Sequence, residues 1–295
     1  MAEFNPLTAS AGKSQAGNPL QKFFRQPKVY VTLPSQGRYY PPGAVDIPET
    51  GELPVFAMTA KDELVFKTPD ALLNGQATVD VIKSCVPNIK DPWKMPSVDL
   101  DAILIAIRIA TYGESLEVTT KVPNIGDERT YTLDLRNVLS KLVTVEYEGE
   151  LEINNMLVKI RPLTYEEFTK SNLKTFEEQR VFSLVNDDTI PEEEKLARFN
   201  DSFRKLTDLT IDTLGRSVYS ITVEETEVTN PEHIQEFLQN SDKEVFNAVL
   251  EFLEEQKKKF EIEPLKVEST DEDIEKGAPA TFEVPITFDQ SNFFA

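Results

Sequence analysis

The residues able to do chemistry are few. The sole histidine, His233, sits in the run NPEHIQEF, where Asn230 and Pro231 mark a helix start, so a surface or capping role is a plainer reading of the imidazole than acid–base work. The single cysteine, Cys85, lies on the apolar stretch TVDVIKSCV with no histidine close in sequence; a thiol so placed reads as a small buried hydrophobe, not a nucleophile. One cysteine also excludes an intramolecular disulfide framework and a cysteine-based zinc site. Carboxylates stand in pairs at Asp99 with Asp101 and at Glu166 with Glu167, which in a hydrolase could share acid–base work or hold a hard divalent cation. With 51 acidic residues in the chain, composition alone produces such pairs. Neither GxGxxG nor GxxxxGK(S/T) occurs, so no phosphate cradle is legible. The expectation is no catalytic residue, no metal and no cofactor.

Composition narrows the partners. The net charge is −20 and the isoelectric point about 4.5, a field that repels phosphate backbones and anionic headgroups and excludes nucleic acid and membrane surfaces as main partners. The longest uncharged apolar stretch, Ala102 to Ile107, is far shorter than the roughly 20 residues a membrane span needs. No basic-then-apolar leader opens the chain. Together with the lone cysteine this predicts a protein of a reducing cytoplasm. A 40% hydrophobic and 28% charged composition suits an ordinary packed core.

The elements that must position any site follow from pattern. Residues 1–26 are rich in Ala, Ser, Gly, Asn and Gln and read as a flexible arm, with Leu20, Phe23 and Phe24 beside Lys22 and Arg25 as a sticky cluster able to dock. Alternation and Pro/Gly breaks predict short strands near 28–33, 44–47 and 52–57. Helices are predicted from Thr59 onward, over Asp70–Asn74, over Thr78–Val86, and from a Ser97 cap to a Gly113 stop. The runs SLEVTTKV and ERTYTLDL read as a hairpin, and Asp134–Leu142 as a helix. Two further strands follow, turning at Gly149 or at Asn154-Asn155. Thr164 and Glu167 have capping-box spacing and open a helix through Val185, and residues 191–214 form a long amphipathic helix ending at Gly215. A strand at Val218–Val223 and helices over Asn230–Phe237 and Ser241–Phe260 complete the body, and 281–288 reads as a short β element. The fold class is α+β: a small mixed β-sheet module with packed helices over 27–142, a second strand-plus-helix module over 143–263, and a tail over 264–295.

Five motifs in this order carry a resemblance: LPSQG (Leu33, Pro34, Gly37), AMTAKDE (Met58, Asp62, Glu63), PDALLNG ending at Gly75, the IKSCVP helix end holding Cys85, and RIATYG (Arg108, Tyr112, Gly113). Over roughly 27–140 the series closely resembles the baseplate protein family of T-even-type contractile-tailed bacteriophages, and ITFDQSNFF at 286–294 resembles that family's ending. Short cysteine pairs that family members carry are missing here, where Val122 and Pro285 stand, so no metal knuckle is implied. The resemblance implies a baseplate hub subunit, or a hub-assembly chaperone absent from the finished particle, made in the host cytoplasm and contacting other hub and tail proteins. The residues expected to touch partners are the aromatic ends, Phe23, Phe24, Phe288, Phe293 and Phe294. The motif residues read as turns, caps and core.

Overall fold

The computed structural model describes residues 24–66, 75–183 and 191–286, and the chain is α+β. Strands β1 (Pro27–Thr32) and β2 (Glu52–Phe56) pair antiparallel, Val31 opposite Leu53. Their inward residues Val31, Leu53 and Val55 are buried against α3 (Leu100–Tyr112). In α3 every residue from Ala102 to Ala110 is buried, which is why its sequence is apolar all round and not striped. Helices α1 (Ala60–Phe66) and α2 (Gln76–Cys85) flank this core. A hairpin of β3 (Ser115–Lys121) and β4 (Glu128–Asp134) leads into α4 (Leu135–Thr144), whose first free N–H groups include one taken by the Asp134 carboxylate.

The second half is built on an antiparallel sheet in the order β5 (Glu150–Ile153), β6 (Met156–Ile160), β7 (Val218–Val223) and β8 (Thr226–Val228). Between β6 and β7 the chain runs through two long helices that pack on each other, α5 (Tyr165–Ser183) and α6 (Glu192–Ser217). Helices α7 (Pro231–Asn240) and α8 (Lys243–Lys259) cover the sheet's inner face, where Ile234, Leu238 and Val249 meet Val158, Ile160 and Ile221. The tail forms β9 (Leu265–Glu268), α9 (Asp271–Glu275) and β10 (Thr281–Val284), with β9 and β10 paired. It returns to the first half: Leu265 and Ile286 pack on the cluster around α3.

Several expectations need correcting. No strand forms at 44–47. Pro41-Pro42 and Pro48 bracket the segment and keep it short, and it makes one bridge, Val45 to Ile89, with Lys90 and Asp91 both donating to the Ala44 carbonyl. Ser97 does not cap α3; residues Ser97–Asp99 form a single 3-10 turn and the helix begins at Leu100. Asp99 stands at the cap position instead, without a side-chain cap bond, because its carboxylate is turned toward Ser35. The turn between β5 and β6 is at Asn154-Asn155, with φ of 48° and 60°, the left-handed pair a two-residue hairpin demands. The helix capped by Thr164 is described to Ser183, α6 continues past Gly215 to Ser217, and α7 runs on to Asn240. Strand β8, only Thr226–Val228, is too short to show alternation in the sequence. The expectations at Asp70–Asn74, Leu184–Val185 and 287–288 lie outside the described residues.

Candidate interaction groove

The motif residues gather around α3. Arg25, at the end of the segment expected to be an arm, donates to the Ala57 and Ser84 carbonyls and approaches the Asp62 carboxylate at 3.5 Å. Asp62 in turn accepts from the Thr59 N–H and hydroxyl, 2.8 Å each, and from the Ser84 hydroxyl, so one carboxylate caps α1 and ties it to α2. Cys85 is fully buried beside this knot, 3.8 Å from the guanidinium, and burial pushes its thiol up to about 12. A thiol so raised is almost wholly protonated at neutral pH and is a poor nucleophile. Arg108 is buried with its guanidinium 4.6 Å from the Tyr112 ring, and Glu63 lies by the Tyr112 hydroxyl. Leu33, Pro34 and Met58 are buried. Gly113 closes α3 at φ 96°. Gly75 has φ 78° and would press a side chain to 3.1 Å from Trp93, Thr169 and Tyr165. Of the aromatic ends, Phe24 is 57% exposed, while Phe23, Phe288, Phe293 and Phe294 lie outside the described residues. His233 is exposed at the start of α7.

Pattern reading missed a different place. Where the two halves meet, an open groove of about 1160 Å³ runs between the turn after β1 and the sheet around β6. One wall is the run Arg38-Tyr39-Tyr40-Pro41-Pro42. That turn is held from below: Asp99, with no solvent exposure, accepts from the Ser35 N–H at 2.7 Å, the Ser35 hydroxyl at 2.6 Å and the Tyr40 hydroxyl at 3.0 Å. Burial raises the Asp99 pKa to about 6 even though these donors work to lower it. Tyr40 is pushed far above its ordinary value by burial and by Asp99. Gly37 lets the chain pass, with φ 78° and an ideal Cβ only 2.0 Å from Ile47 Cδ1.

The opposite wall is Glu148, Gly149, Glu150, Lys159, Arg161 and Tyr219. Tyr147 connects the walls, its ring edge-on to Tyr39 at 5.6 Å and 6.1 Å from Phe260. The N–H of Glu148 donates to the buried Gln256 side chain at 2.9 Å, and its carboxylate pairs with Lys259, which fixes this wall on α8. The floor is the cap of α5. Thr164 donates to Glu167 through both N–H and hydroxyl, Glu167 returns its N–H, and Arg161 grips the carboxylate with two nitrogens at 3.0 Å each. Burial works to raise the Glu167 pKa, but Arg161 and Thr164 outweigh it and hold it below the ordinary value. Lys94 pairs with Glu166, which Lys170 and Lys94 together hold down at about 2.

The groove therefore offers four cations against three carboxylates, tyrosine faces and a proline pair, in a chain whose acids outnumber its bases 51 to 31. Several of its carboxylates are already engaged, Glu167 by Thr164 and Arg161 and Glu148 by Lys259. The pair Asp99 and Asp101 is not a shared site, since Asp99 is committed to Ser35 and Tyr40. Among the described residues no group of three or more His, Cys, Asp or Glu could hold a metal ion, and no helix is long and apolar enough to cross a membrane. The strand pair holding VKIRP was legible in the sequence; that it faces the RYYPP run was not.

A second exposed feature is the α5–α6 pair, where Leu173, Phe176, Leu196 and Phe203 stand 37–61% exposed. Among comparisons with known proteins, a family described as T4 bacteriophage base plate protein matches residues 44–275. No curated protein and no solved structure matches the chain.

Proposed function

The chain belongs to the T4 bacteriophage base plate protein family, and from that premise we propose that it is a hub protein of the tail baseplate, working only through protein–protein contacts. Membership carries a structural or assembly role in the phage baseplate and contacts with other phage proteins. The narrower hub reading is supported by the ordered motif series between Leu33 and Gly113. The observation that carries the contact mechanism is the surface of the α5–α6 pair: Phe176 at 53% and Phe203 and Leu196 at 61% exposure. Large aromatic side chains left in water are costly to keep there and are the residue types that anchor interfaces. The acidic exterior steers basic partners toward the chain and keeps it soluble meanwhile. The aromatic ends, Phe23-Phe24 and Phe288, Phe293 and Phe294, add further anchors to the same role.

The test is affinity purification of the tagged chain from infected cells. Hub and tail proteins are expected in near-stoichiometric yield, and Phe176→Ser with Phe203→Ser should cut that yield at least tenfold without lowering the melting temperature. Recovery of no tail protein would overturn the hub reading. Mass spectrometry of purified virions separates the two hub roles, since a lasting subunit is present in fixed copy number and an assembly chaperone is not.

A further inference from the structure

The groove contains a polar atom that the fold leaves unsatisfied. Tyr147 is 5% exposed, and its hydroxyl is buried with no hydrogen-bond partner among the described residues. Buried hydroxyls are almost always paired, so an orphan in a groove wall points to a missing acceptor or donor. Nearby, Arg38 donates to the Ser35 carbonyl and lies over the Tyr39 ring, and among the described residues it has no carboxylate partner. Tyr219, 60% exposed, and the exposed pair Pro41-Pro42 supply flat apolar faces on the two sides. An orphan hydroxyl, a guanidinium without a carboxylate and opposed aromatic and proline faces suit an extended peptide bearing one acid and aromatic side chains.

The chain carries such a peptide within reach. Val284 pairs with Leu265, and the Phe260 ring lies 6.1 Å from Tyr147. From Phe260 to Leu265 the chain spans at most about 17 Å, whereas Thr287 to Ala295, beyond the packed Ile286, can extend about 30 Å at roughly 3.3 Å per residue. The segment Thr287–Ala295 reads TFDQSNFFA: Asp289 matches Arg38, the Gln290 or Asn292 amide or a backbone carbonyl matches the Tyr147 hydroxyl, and Phe293 and Phe294 match the Tyr219 and Pro41-Pro42 faces. We propose that the groove is the seat of the chain's own C-terminal segment, Thr287–Ala295. This deepens the contact reading and rests on it for its purpose: aromatic anchors meant for hub partners are stored in the groove until a partner displaces them.

Photo-crosslinking of the purified full chain tests the seat without any partner. With p-benzoylphenylalanine in place of Phe293, irradiation should link the segment within a monomer to peptides containing residues 38–42, 147–150 or 219. Arg38→Glu with Tyr219→Ala, both at exposed positions, should cut that yield at least tenfold while the melting temperature holds. Tyr147→Phe should also lower the yield severalfold. Crosslinks to other surfaces, or a yield unchanged by the groove substitutions, would overturn the proposal. Crosslinks found only in covalent dimers would place the segment in a second copy's groove and overturn the assignment to its own. Because no hub protein is present, this outcome is independent of whether hub proteins co-purify with the chain.

Discussion

The Arg129 guanidinium on β4 holds the Asp273 carboxylate of α9 through two hydrogen bonds, 3.2 and 2.7 Å, across 144 residues of sequence. Asp273 is 1% exposed, and its pKa is held below the ordinary carboxylate value by Arg129 first and Thr270 second. Tyr131 meets Phe282 edge-on at 6.0 Å beside this pair. The tail is thus pinned to the β3–β4 hairpin by this buried pair and ring contact, with Lys276 pairing with Asp127 and Asn124 donating to the Gly277 carbonyl at the hairpin's turn. Arg129→Ala should leave a buried carboxylate short of donors and free the tail locally. Hydrogen exchange should speed up over 265–284 while α3 stays protected; unchanged exchange in the tail would show that the pinning lies elsewhere.

Gly37→Ala should destabilise the chain by about 1–3 kcal/mol, from a left-handed φ combined with a Cβ placed 2.0 Å from Ile47 Cδ1. Urea unfolding measures it. Adding Ile47→Ala should recover the steric part but not the backbone part, leaving a residual cost of about 1 kcal/mol.

Asp99 makes stability depend on pH. Its pKa is about 6 when folded and near 3.8 otherwise, so between these values the folded state holds more protons than the unfolded one. Its contribution is fully present below about pH 4 and is lost as pH rises through 6. Against Asp99→Asn, which keeps the shape, the wild-type chain should lose on the order of 3 kcal/mol across that window. A difference in unfolding free energy that stays level from pH 4 to 7 would contradict the buried, proton-holding carboxylate.

Thr164→Ala removes the hydroxyl that accepts from the Glu167 N–H and donates to its carboxylate. A loss of about 1 kcal/mol is expected, with Thr164→Ser close to wild type, both measured by urea unfolding. Since Arg161 keeps its two bonds to Glu167, the groove floor should persist in both variants.

Local features of the chain were readable as letters. The run before Gly113 announced a helix, the Thr164–Glu167 spacing announced a cap that the structure makes with its own atoms, and Asn154-Asn155 was one of two named turn sites. These succeed because the interactions span a few residues, and the physics of turns, caps and periodicity acts at that range. The false strand at 44–47 and the false Ser97 cap failed for the opposite reason. Alternation and a hydroxyl were present, but the Ala44 carbonyl was claimed by Lys90 and Asp91, and Asp99, at the cap position, by Ser35, partners that sequence proximity does not rank. The groove belongs wholly to the second class. Arg38 and Tyr39, Tyr147, Arg161 and Tyr219 come from distant stretches, and only the seating of the β1 turn on Asp99 and of the Glu148 segment on Gln256 sets them face to face. Sequence alone determined the acidic charge, the α+β content and the family. Tertiary structure decided where, among the described residues, Arg38 was left without a carboxylate and the Tyr147 hydroxyl without a partner, because burial and unpaired atoms are properties of packing and not of any one segment.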